Sequence, residues 1–578
     1  MDIQRTLLIG AIMLLSFMLL TEWVNFRDVK DDVVLTESRL TASPDLVADA
    51  NDFTNTGDLP ADLPVTQPSN SSTTADSVED IPAVSASVDA SNPAPAVATA
   101  DNIIQVYTDS LQVAIDLNGG DIVEVALAKF LAKIDDPDTP FVLLENNSRR
   151  VYVAQSGLIG RDGIDSQSRA KYQSAQTRYD LGADESLQVD LLWTNDAGIS
   201  VTKRFNFQRD SYVVDVEFII NNQSDERWQG NLFGQIKRDS SAAETTGGGG
   251  MGMQPFLGAA TTTADDRFKK FSFDNMRKEP FREQHPGGWI AMIQHYFLSA
   301  WIPSPQQTHT YSTRVTNSGF NIAGFTSPAI TVDPGTSKEV SARFYAGPKD
   351  QYSLQEISPF LELSVDYGWL WWVAQPLFWL LTKIYSFVGN WGAAIILLTV
   401  LIKAVFFKLS ATSYKSMANM RRVQPKMADI REQYAEDKQK QSQAMMELYR
   451  KEKINPMGGC LPILVQMPVF IALYWMLMES VELRQAPFML WINDLSVMDP
   501  YFVLPLMMGA SMFFMQKLNP PPPDPMQAKI MQWLPVIFTF FFLWFPAGLV
   551  LYWVVNNLLS MAQQYVITRQ IENAGAKS

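Results

Sequence analysis

The segment Gly392–Leu409 reads GAAIILLTVLIKAVFFKL, an apolar helical run interrupted near its middle by Lys403. None of the candidate membrane spans of this chain carries an interior Asp or Glu that could neutralise this cation. A charge near mid-bilayer costs about 2.5–3.5 kcal/mol on insertion scales, and such residues usually face a bundle interior or a water-filled cavity. The segment therefore predicts a membrane-spanning helix beside a hydrated cavity. In the alternative, the long stem of Lys403 carries its charge to the cytoplasmic edge, where Lys408 lies.

Polar residues recur on the helix face that carries Lys403. Thr399 lies one turn before it and Ser410 about two turns after it. Positions separated in this way share one face of a helix. This polar stripe is the first candidate for a functional site.

The composition combines an acidic polar half with a very apolar C-terminal half. A chain of 578 residues is expected to form several domains. Its net charge of −15 excludes a generic nucleic-acid binder, so no specific nucleic-acid sequence is expected as a partner. The single cysteine, Cys460, excludes an internal disulfide and a cysteine-based metal site. The chain also lacks a Walker motif, so no bound nucleotide is expected. No cofactor is expected either.

Residues 1–24 are predicted to form an N-terminal transmembrane anchor. The apolar run Thr6–Val24 has 19 residues, which nearly spans a hydrocarbon core. A signal peptide is the alternative, but this run exceeds an ordinary signal-peptide core and has no small-x-small cleavage pattern after it. Residues 25–101 are acidic and almost free of aromatic residues, so they are predicted to be a disordered linker.

In residues 102–348, apolar and polar residues alternate with a period of two. Leu111, Val113 and Ile115 alternate with polar residues before a turn at Gly119. Such alternation, closed by Gly and Asn turns, is typical of a large antiparallel sandwich. We interpret the domain as a scaffold or docking module, because the spacing of its histidines indicates neither a metal site nor an acid–base site. The histidines are His285, His295 and His309.

The C-terminal half contains five further apolar segments of about the length that a membrane crossing requires. With the anchor they make six predicted transmembrane helices, five of which form a core bundle. Residues 349–390 are rich in tryptophan and carry Pro376 and Lys383, so we expect a connection and an amphipathic interfacial helix rather than a seventh span. The five predicted core spans are 391–409 and, within residues 456–568, the segments 461–478, 501–518, 530–545 and 547–567.

Charge predicts the orientation of these spans. The segment Lys408–Lys453 carries eleven Lys and Arg against six acidic residues, which by the positive-inside rule places it in the cytoplasm. Counting spans from there puts both termini inside, including the tail 569–578, and puts the β domain outside. An acidic, tethered, cysteine-poor outer domain indicates the periplasm, so we expect a multi-pass protein of a bacterial inner membrane.

Residues 410–455 are predicted to form a cytoplasmic helical hairpin. Methionines recur along one side of it, and a helix-stop signal follows at Asn455-Pro456. Two interpretations stay open: a solvated helix pair held near anionic lipid by its cations, or a rim that contacts incoming chains, since methionine-rich surfaces repack against varied partners. The candidate contact residues are Arg421, Arg422, Lys426, Met445 and Met446.

Five short motifs stand out in the C-terminal half: Asn455–Cys460 (NPMGGC), Gln466–Pro468 (QMP), Val481–Phe488 (VELRQAPF), Phe513–Lys517 (FFMQK) and Phe542–Tyr552 (FLWFPAGLVLY). Together they resemble the YidC/Oxa/Alb membrane-insertase family, and the resemblance runs from the first residue to the C-terminal tail. It implies five core spans around a hydrophilic groove that is closed toward the periplasm and open to the cytoplasm and to lipid. It also implies that the β domain is a supersandwich similar to galactose-mutarotase folds.

The resemblance implies which residues line the groove, and the chain departs from the family pattern at some of them. Lys403 stands where the bacterial family often has Arg, and Lys lacks the planar fork that holds a carboxylate bidentately. Trp553 stands where a second Tyr is familiar, and Glu479 is a departure with no role assigned. Each polar residue taken singly is also explained by ordinary helix–helix hydrogen bonding. The predicted groove residues are Lys403, Thr399, Gln466, Thr539, Tyr552, Trp553 and Asn556, with Ser560 one turn further on.

These inferences converge on an insertase and chaperone for integral membrane proteins that uses no nucleotide and is not an enzyme. A polar, often acidic segment enters the groove from the cytoplasm, while the hydrophobic segment leaves along the third and fifth spans. Transfer of apolar surface into lipid, about 25 cal/mol per Å², drives the step. The expected partners are nascent membrane proteins, the Sec translocon (SecYEG and SecDF), the ribosome and membrane lipids.

Two other classes of function compete with this hypothesis. A secondary transporter or channel would usually carry intramembrane carboxylates or histidines, or an inverted repeat, and the sequence shows neither. A membrane-anchored periplasmic carbohydrate-binding protein would not need five further spans and a cationic hairpin. Deletion of most of the β domain separates the alternatives, because an insertase should retain its activity and a sugar binder should lose it.

Overall fold

A computed structural model describes residues 102–241, 255–452, 461–518 and 525–575. The predicted anchor 1–24, almost all of the linker 25–101 and the end of the tail lie outside the described residues. The chain divides into two compact units, and the larger one contains residues 74–520 and 535–578. Every contact discussed below lies within that larger unit.

Twenty strands between Ile103 and Pro348 form two sheets in the described part of the chain. The first sheet has eleven strands in the order β14-β17-β18-β11-β5-β4-β3-β2-β1-β7, with β19 beside β11. The second has nine, in the order β13-β12-β15-β16-β20-β10-β9-β8-β6. The pairs are antiparallel except β1 with β7. The strands are β1 Ile103–Tyr107, β2 Leu111–Asp116, β3 Asp121–Lys133, β4 Asp136–Asn146, β5 Val151–Ile159, β6 Gln173–Ser174, β7 Arg178–Asp180, β8 Ser186–Thr194, β9 Ile199–Gln208, β10 Val213–Asn222, β11 Trp228–Arg238, β12 Gly258–Thr261, β13 Lys269–Ser272, β14 Phe281–Pro286, β15 Ile290–Ile293, β16 Phe297–Pro303, β17 Thr308–Val315, β18 Asn321–Thr326, β19 Ile330–Val332 and β20 Thr336–Pro348.

The alternation read from the sequence explains how these strands pack. In β10, Val214, Val216 and Phe218 are buried, while the residues between them are only partly buried. They join a hydrophobic core with residues of the other sheet, such as Ile104 and Val106. Because successive side chains of a strand point to opposite faces, each sheet can cover this core with one face. The first core of the molecule therefore lies between the sheets.

Strand β15 is buried on both faces. Ile290 and Met292 belong to the core between the sheets. Ala291 and Ile293, which point the other way, belong to a second core that also contains helical residues such as Leu370. At β15, the outer face of the nine-stranded sheet is therefore covered by the helical part of the chain.

Ten α-helices are described: α1 Phe273–Lys278, α2 Gln351–Ile357, α3 Trp371–Val388, α4 Trp391–Val405, α5 Phe407–Gln433, α6 Lys438–Lys451, α7 Leu461–Glu479, α8 Val503–Leu518, α9 Pro525–Phe542 and α10 Ala547–Gly575. By length and hydropathy, the described part of the chain has no single helix that qualifies as a membrane span. The consecutive helices α4 and α5, bent by 66°, qualify as a pair. Shorter apolar helices cover Val465–Glu479, Val503–Leu518 and Ala528–Phe542.

The helix predicted over 391–409 is broken. α4 ends at Val405, and α5 begins at Phe407 in a new direction and continues into the predicted hairpin. Breaks of this size usually occur at Pro or Gly, but neither lies near Phe406 and nothing in the local sequence explains the break. Its consequence is that Lys403 lies in the last turn of a helix and not in the middle of one.

Candidate functional site

Lys403 is buried and is held by the last helix. Only 5% of the Lys403 surface is exposed to solvent. The Nζ atom donates a 2.7 Å hydrogen bond to Ser560 Oγ in α10. Ser560 Oγ in turn donates to the carbonyl oxygen of Asn556, also over 2.7 Å. The structure therefore brings Lys403 together with the Asn556–Ser560 turn of α10.

Neutral groups surround this cation. None of the ion pairs among the described residues includes Lys403. The carboxyl end of a helix carries a partial negative charge, which stabilises a cation in the last turn by about 0.3–1 kcal/mol at exposed sites and by up to about 2 kcal/mol when partly buried. The end of α4 and the Ser560 hydroxyl together take the place of the acidic partner that the sequence lacks.

Thr399 lies one turn before Lys403 and is fully buried. Its hydroxyl donates a 2.7 Å hydrogen bond to the carbonyl oxygen of Ile395 in the same helix. A threonine whose hydroxyl donates to its own helix does not need a hydrogen-bond acceptor on another helix. The shared face predicted for these two residues is present, but the Thr399 donor is already satisfied.

Tyr552 and Trp553 lie between α7 and α9. The Tyr552 ring stacks on Phe470 of α7 at 6.3 Å between centroids. Trp553 contacts the same Phe470 at 4.7 Å and Phe542 of α9 at 5.8 Å. Trp553 Nε1 is buried and has no hydrogen-bond partner among the described residues. Since buried donors are nearly always paired, this indole is a candidate donor for a passing polar group.

Thr539 and Gln466 are not joined to Lys403 by hydrogen bonds in the described part of the chain. The Thr539 hydroxyl donates to the Pro535 carbonyl oxygen over 2.7 Å. It also lies where a Cβ at Gly509 would be, so it packs against α8. Gln466 is half-buried in α7. These two predicted groove residues therefore belong to other helices, and neither is hydrogen-bonded to the cation in the described part of the chain.

A polar contact between α8 and α10 was absent from the sequence prediction. Asn557 Nδ2 donates a 3.0 Å hydrogen bond to Ser511 Oγ, and both residues are buried. Small polar residues commonly tie membrane helices together, and that is the signal that could have identified this pair. It ties α8 to the side of α10 that carries Trp553, one turn before Asn557.

The hairpin residues fall into two groups. Val423 and Met427 of α5 are buried, and Met445 of α6 packs against them. Met446 is exposed, and so are the three candidate cations Arg421, Arg422 and Lys426. Lys426 Nζ forms a 2.6 Å ion pair with Glu452, whereas no ion pair is found for Arg421 or Arg422 among the described residues. Met445 therefore holds the two helices together, and the other candidate contact residues lie on the surface.

The tryptophan-rich helix α3 has an exposed aromatic side. Trp371, Trp372 and Trp379 are each more than half exposed, and Phe387 is almost fully exposed. Its other side, which includes Ala374 and Leu381, is buried in the second core. Aromatic rings of this kind favour the membrane–water interface.

The polar side chains of the described residues offer no group of three or more His, Cys, Asp or Glu that could hold a metal. Two of the three histidines instead bond to backbone carbonyls: His295 Nε2 lies 2.8 Å from Met478 O, and His309 Nε2 lies 2.8 Å from Ser304 O. Burial lowers the pKa of both. They are neutral structural residues in this geometry.

Two family models match the chain. One, described as the YidC periplasmic domain, covers residues 103–380, and the other, described as the 60Kd inner membrane protein, covers residues 383–574. The chain belongs to the YidC family of membrane protein insertases. Curated relatives named membrane protein insertase YidC are similar over the whole length of both chains. They include those of Pseudomonas entomophila (strain L48), 51% identical over 585 residues, and of Stutzerimonas stutzeri (strain A1501), 52% identical over 579 residues.

A solved structure is also similar. It is described as an active YidC insertase crystal structure with the first transmembrane domain resolved, with a TM-score of 0.38 and 18% sequence identity. The match covers 80% of this chain and 92% of that one.

The family assignment confirms five of the sequence predictions. The chain is a membrane protein insertase and not an enzyme. It is an inner-membrane protein, and its β-rich domain is periplasmic and precedes the C-terminal helices. Its substrates are membrane proteins. The groove, the number and orientation of the spans, and the other partners stay predictions.

Proposed function

We propose that this insertase, which is also a chaperone for its substrates, moves the polar segment of an incoming membrane protein through a groove centred on Lys403. The observation that carries the proposal is that Lys403 is buried against a neutral hydroxyl. An ammonium group has three N–H donors, and only the one to Ser560 is used among the described residues. The remaining donors can bind an acidic side chain or a backbone carbonyl.

The attraction of one cation is large enough to offset the insertion penalty of one acidic residue. An acidic side chain at the bilayer centre costs about 2.5–3.5 kcal/mol on insertion scales. Its attraction to an ammonium about 4 Å away is on the order of 4 kcal/mol at an effective dielectric constant of about 20. The two quantities are comparable, so Lys403 offsets much of the penalty of one carboxylate without trapping it. Trp553 Nε1 supplies a further donor next to the path.

The hydrophobic segment of the substrate leaves between α7 and α9. Phe470, Phe542 and the rings of Tyr552 and Trp553 form an apolar wall there. Exposed apolar side chains continue on both helices, including Met467 and Phe540. Transfer of the segment from water to this wall and then to lipid is favourable by about 25 cal/mol per Å² of apolar surface. No nucleotide is needed for this step.

The finer architecture follows from charge and length. Six spans cross the membrane, five of them around the groove, and the β-supersandwich stands on the periplasmic side with both termini in the cytoplasm. The net positive charge of the segment Lys408–Lys453 supports this orientation. The exposed tryptophans of α3 support its place along the outer membrane surface rather than across the bilayer.

The hairpin α5–α6 receives substrates before they reach the groove. The exposed Arg421, Arg422 and Met446 support a contact with nascent chains, the ribosome or anionic lipid. The same insertase works alone or with the Sec translocon.

Crosslinking of a stalled nascent chain tests the proposal. Photoreactive residues at positions 403, 466 and 552 should label the polar segment of the substrate. The matched control positions are Leu397 and Val405, which are exposed on α4, and they should label lipid or the hydrophobic segment alone. Labelling of the polar segment only at the control positions would refute the groove.

A further inference from the structure

The loop that joins α7 to α8, residues 480–502, lies over the outer ends of other helices. Asn390 Nδ2, at the start of α4, donates to the carbonyl oxygens of Pro487 and Phe488 over 3.2 and 3.0 Å. The ring of Phe488 occupies the space beside Gly392, where a Cβ would collide with it. The loop is therefore fastened to the first turn of the helix that carries Lys403.

The same loop is fastened to the start of α10. The backbone N–H of Ala547 donates to Val497 O over 2.7 Å, and that of Gly548 donates to Leu495 O over 2.9 Å. The side chains of Leu495 and Ile395 both lie beside Gly548. One loop thus joins the outer ends of the two helices that hold Lys403 and Ser560.

The β domain holds this loop from its other side. Arg484 Nη2 and Gln485 Nε2 both donate to the carbonyl oxygen of Leu131 in β3, over 2.6 and 3.1 Å. The Arg484 guanidinium also lies over the rings of Phe141 and Phe297, 5.2 and 5.5 Å from their centroids. These contacts use the VELRQAPF motif, for which the groove offers no role.

A buried ion pair completes this contact. Lys349 Nζ, directly after β20, lies 2.5 Å from Glu479 Oε2 at the end of α7, and each side chain is only 2% exposed. His295 Nε2 donates to Met478 O beside it. The pair explains Glu479, which had no role in the sequence prediction.

The backbone of the loop is specialised for this position. Gln485 and Leu490 have positive φ angles of 56° and 55°, a conformation that residues other than glycine rarely adopt. Such strain persists only where surrounding contacts determine the conformation. The contacts of Gln485 with Leu131 are of that kind.

We propose that residues 480–502 are the outer seal of the groove, that the β domain clamps this seal, and that the Lys349–Glu479 pair is the positioning contact of the clamp. The inference rests on the proposed function, because a seal presupposes a groove. It gives the β domain a task at the membrane: to keep the polar path closed on the periplasmic side while it is open to the cytoplasm.

The ion pair offers an asymmetric test. Removal of one partner leaves the other charge buried and uncompensated, which is far more disruptive than removal of both. Lys349→Met should therefore loosen the clamp, and Lys349→Met with Glu479→Met should restore it. The reversed pair, Lys349→Glu with Glu479→Lys, provides a second route to restoration. Lys338→Met is the matched control, since Lys338 is exposed in β20.

The measurement is periplasmic accessibility beneath the loop. The full chain carries Cys460→Ser and a single probe, Ile395→Cys, because Ile395 is buried beside Gly548. A membrane-impermeant maleimide is added to spheroplasts, and an Asp225→Cys chain, labelled at an exposed site, confirms that the reagent acts. Lys349→Met should raise labelling of the probe at position 395 roughly tenfold or more, as expected for an unpaired buried charge, whereas Lys338→Met and the double variant should not.

Two results would overturn the seal. One is unchanged labelling in a Lys349→Met chain that reaches the membrane at the normal level. The other is labelling in both restored pairs as strong as in the single variant. If the Lys349→Met chain does not accumulate in the membrane, the test uses Arg484→Gln instead. This substitution removes the hydrogen bond from Arg484 to Leu131. Unchanged labelling of the Arg484→Gln chain would equally refute the clamp. Failure of the groove itself is separate, because it is read from insertion by Lys403 variants and not from thiol labelling.

Discussion

Lys403 Nζ and Ser560 Oγ lie 2.7 Å apart, so a cation of α4 is held by a hydroxyl of α10. The hydroxyl is not charged, and it also donates to its own helix. The ammonium is therefore anchored in position, and no acidic side chain among the described residues neutralises it. A carboxylate in the place of Ser560 would neutralise that charge.

Lys403→Ala should reduce insertion of small proteins with acidic translocated tails by at least about tenfold, because the attraction that is lost, on the order of 4 kcal/mol, exceeds the about 1.4 kcal/mol that corresponds to that factor. Lys403→Arg should be tolerated, and Lys403→Glu should not, since it repels the tail. Insertion is measured by protease protection of pulse-labelled substrates. Lys408→Ala is the control, because Lys408 is exposed. Equal insertion by the Ala and Glu variants of Lys403 would contradict the role of charge.

Ser560→Ala should lower thermal stability more than it lowers insertion. The hydrogen bond from a charged group is worth about 1.5–3 kcal/mol, but the cation that meets the substrate is still present. Melting of the detergent-solubilised protein and insertion are measured on the same preparation. Ser386→Ala is the control, because the Ser386 hydroxyl is exposed and bonds within its own helix. Loss of insertion with an unchanged melting temperature would show that Ser560 acts on the substrate directly.

Asn557→Ala should weaken the packing of α8 on α10. Hydrogen bonds between membrane helices average about 0.6 kcal/mol and reach about 1.7 kcal/mol, so we expect a coupling energy in that range between Asn557 and Ser511. A double-mutant cycle with Ser511→Ala, followed by denaturant unfolding in mixed micelles, measures it. Additive effects of the two substitutions would mean that the 3.0 Å contact does not stabilise the fold.

Acid should destabilise the contact between the β domain and α7 through His295. Burial, and then the charge of Lys349, lower the pKa of His295 from 6.5 to about 4. The unfolded chain therefore binds a proton that the folded chain excludes, and stability is lost as the pH falls from about 6.5 toward 4. The loss is at most about 3 kcal/mol. His295→Gln keeps a donor for Met478 but does not titrate, so its melting temperature should depend less on pH across this interval; an identical dependence would assign the acid sensitivity to other groups.

Features with a local pattern were predictable from the sequence. The two-residue alternation of β2 and β10 identified the β domain, because a strand that covers one core shows that period directly. Lys403 was identifiable because a charge within an apolar run has few physical explanations. Ser560 was expected to meet it from the last span, and Lys403 Nζ donates to Ser560 Oγ; that these residues line a groove stays a prediction.

Features that depend on distant residues were not predictable. Glu479 meets a lysine 130 positions earlier, and no local pattern connects the two. No Pro or Gly marks the end of α4 at Val405, so the apolar sequence 391–409 predicted one continuous helix. The burial of both faces of β15 could not be predicted, because a four-residue apolar sequence has the same pattern whether one or both faces of the strand are covered.

The two-sided burial of β15 limits how this chain can be shortened. A protein engineer who removes the strands to obtain a smaller insertase would uncover part of the second core, which contains Ala291 and Ile293 of β15 together with helical residues. Leucines at 361 and 370 would then meet water, and soluble aggregates would follow unless both were replaced by polar residues. Deletion of most of the β domain can therefore distinguish an insertase from a sugar binder only when the surface at the cut has been redesigned.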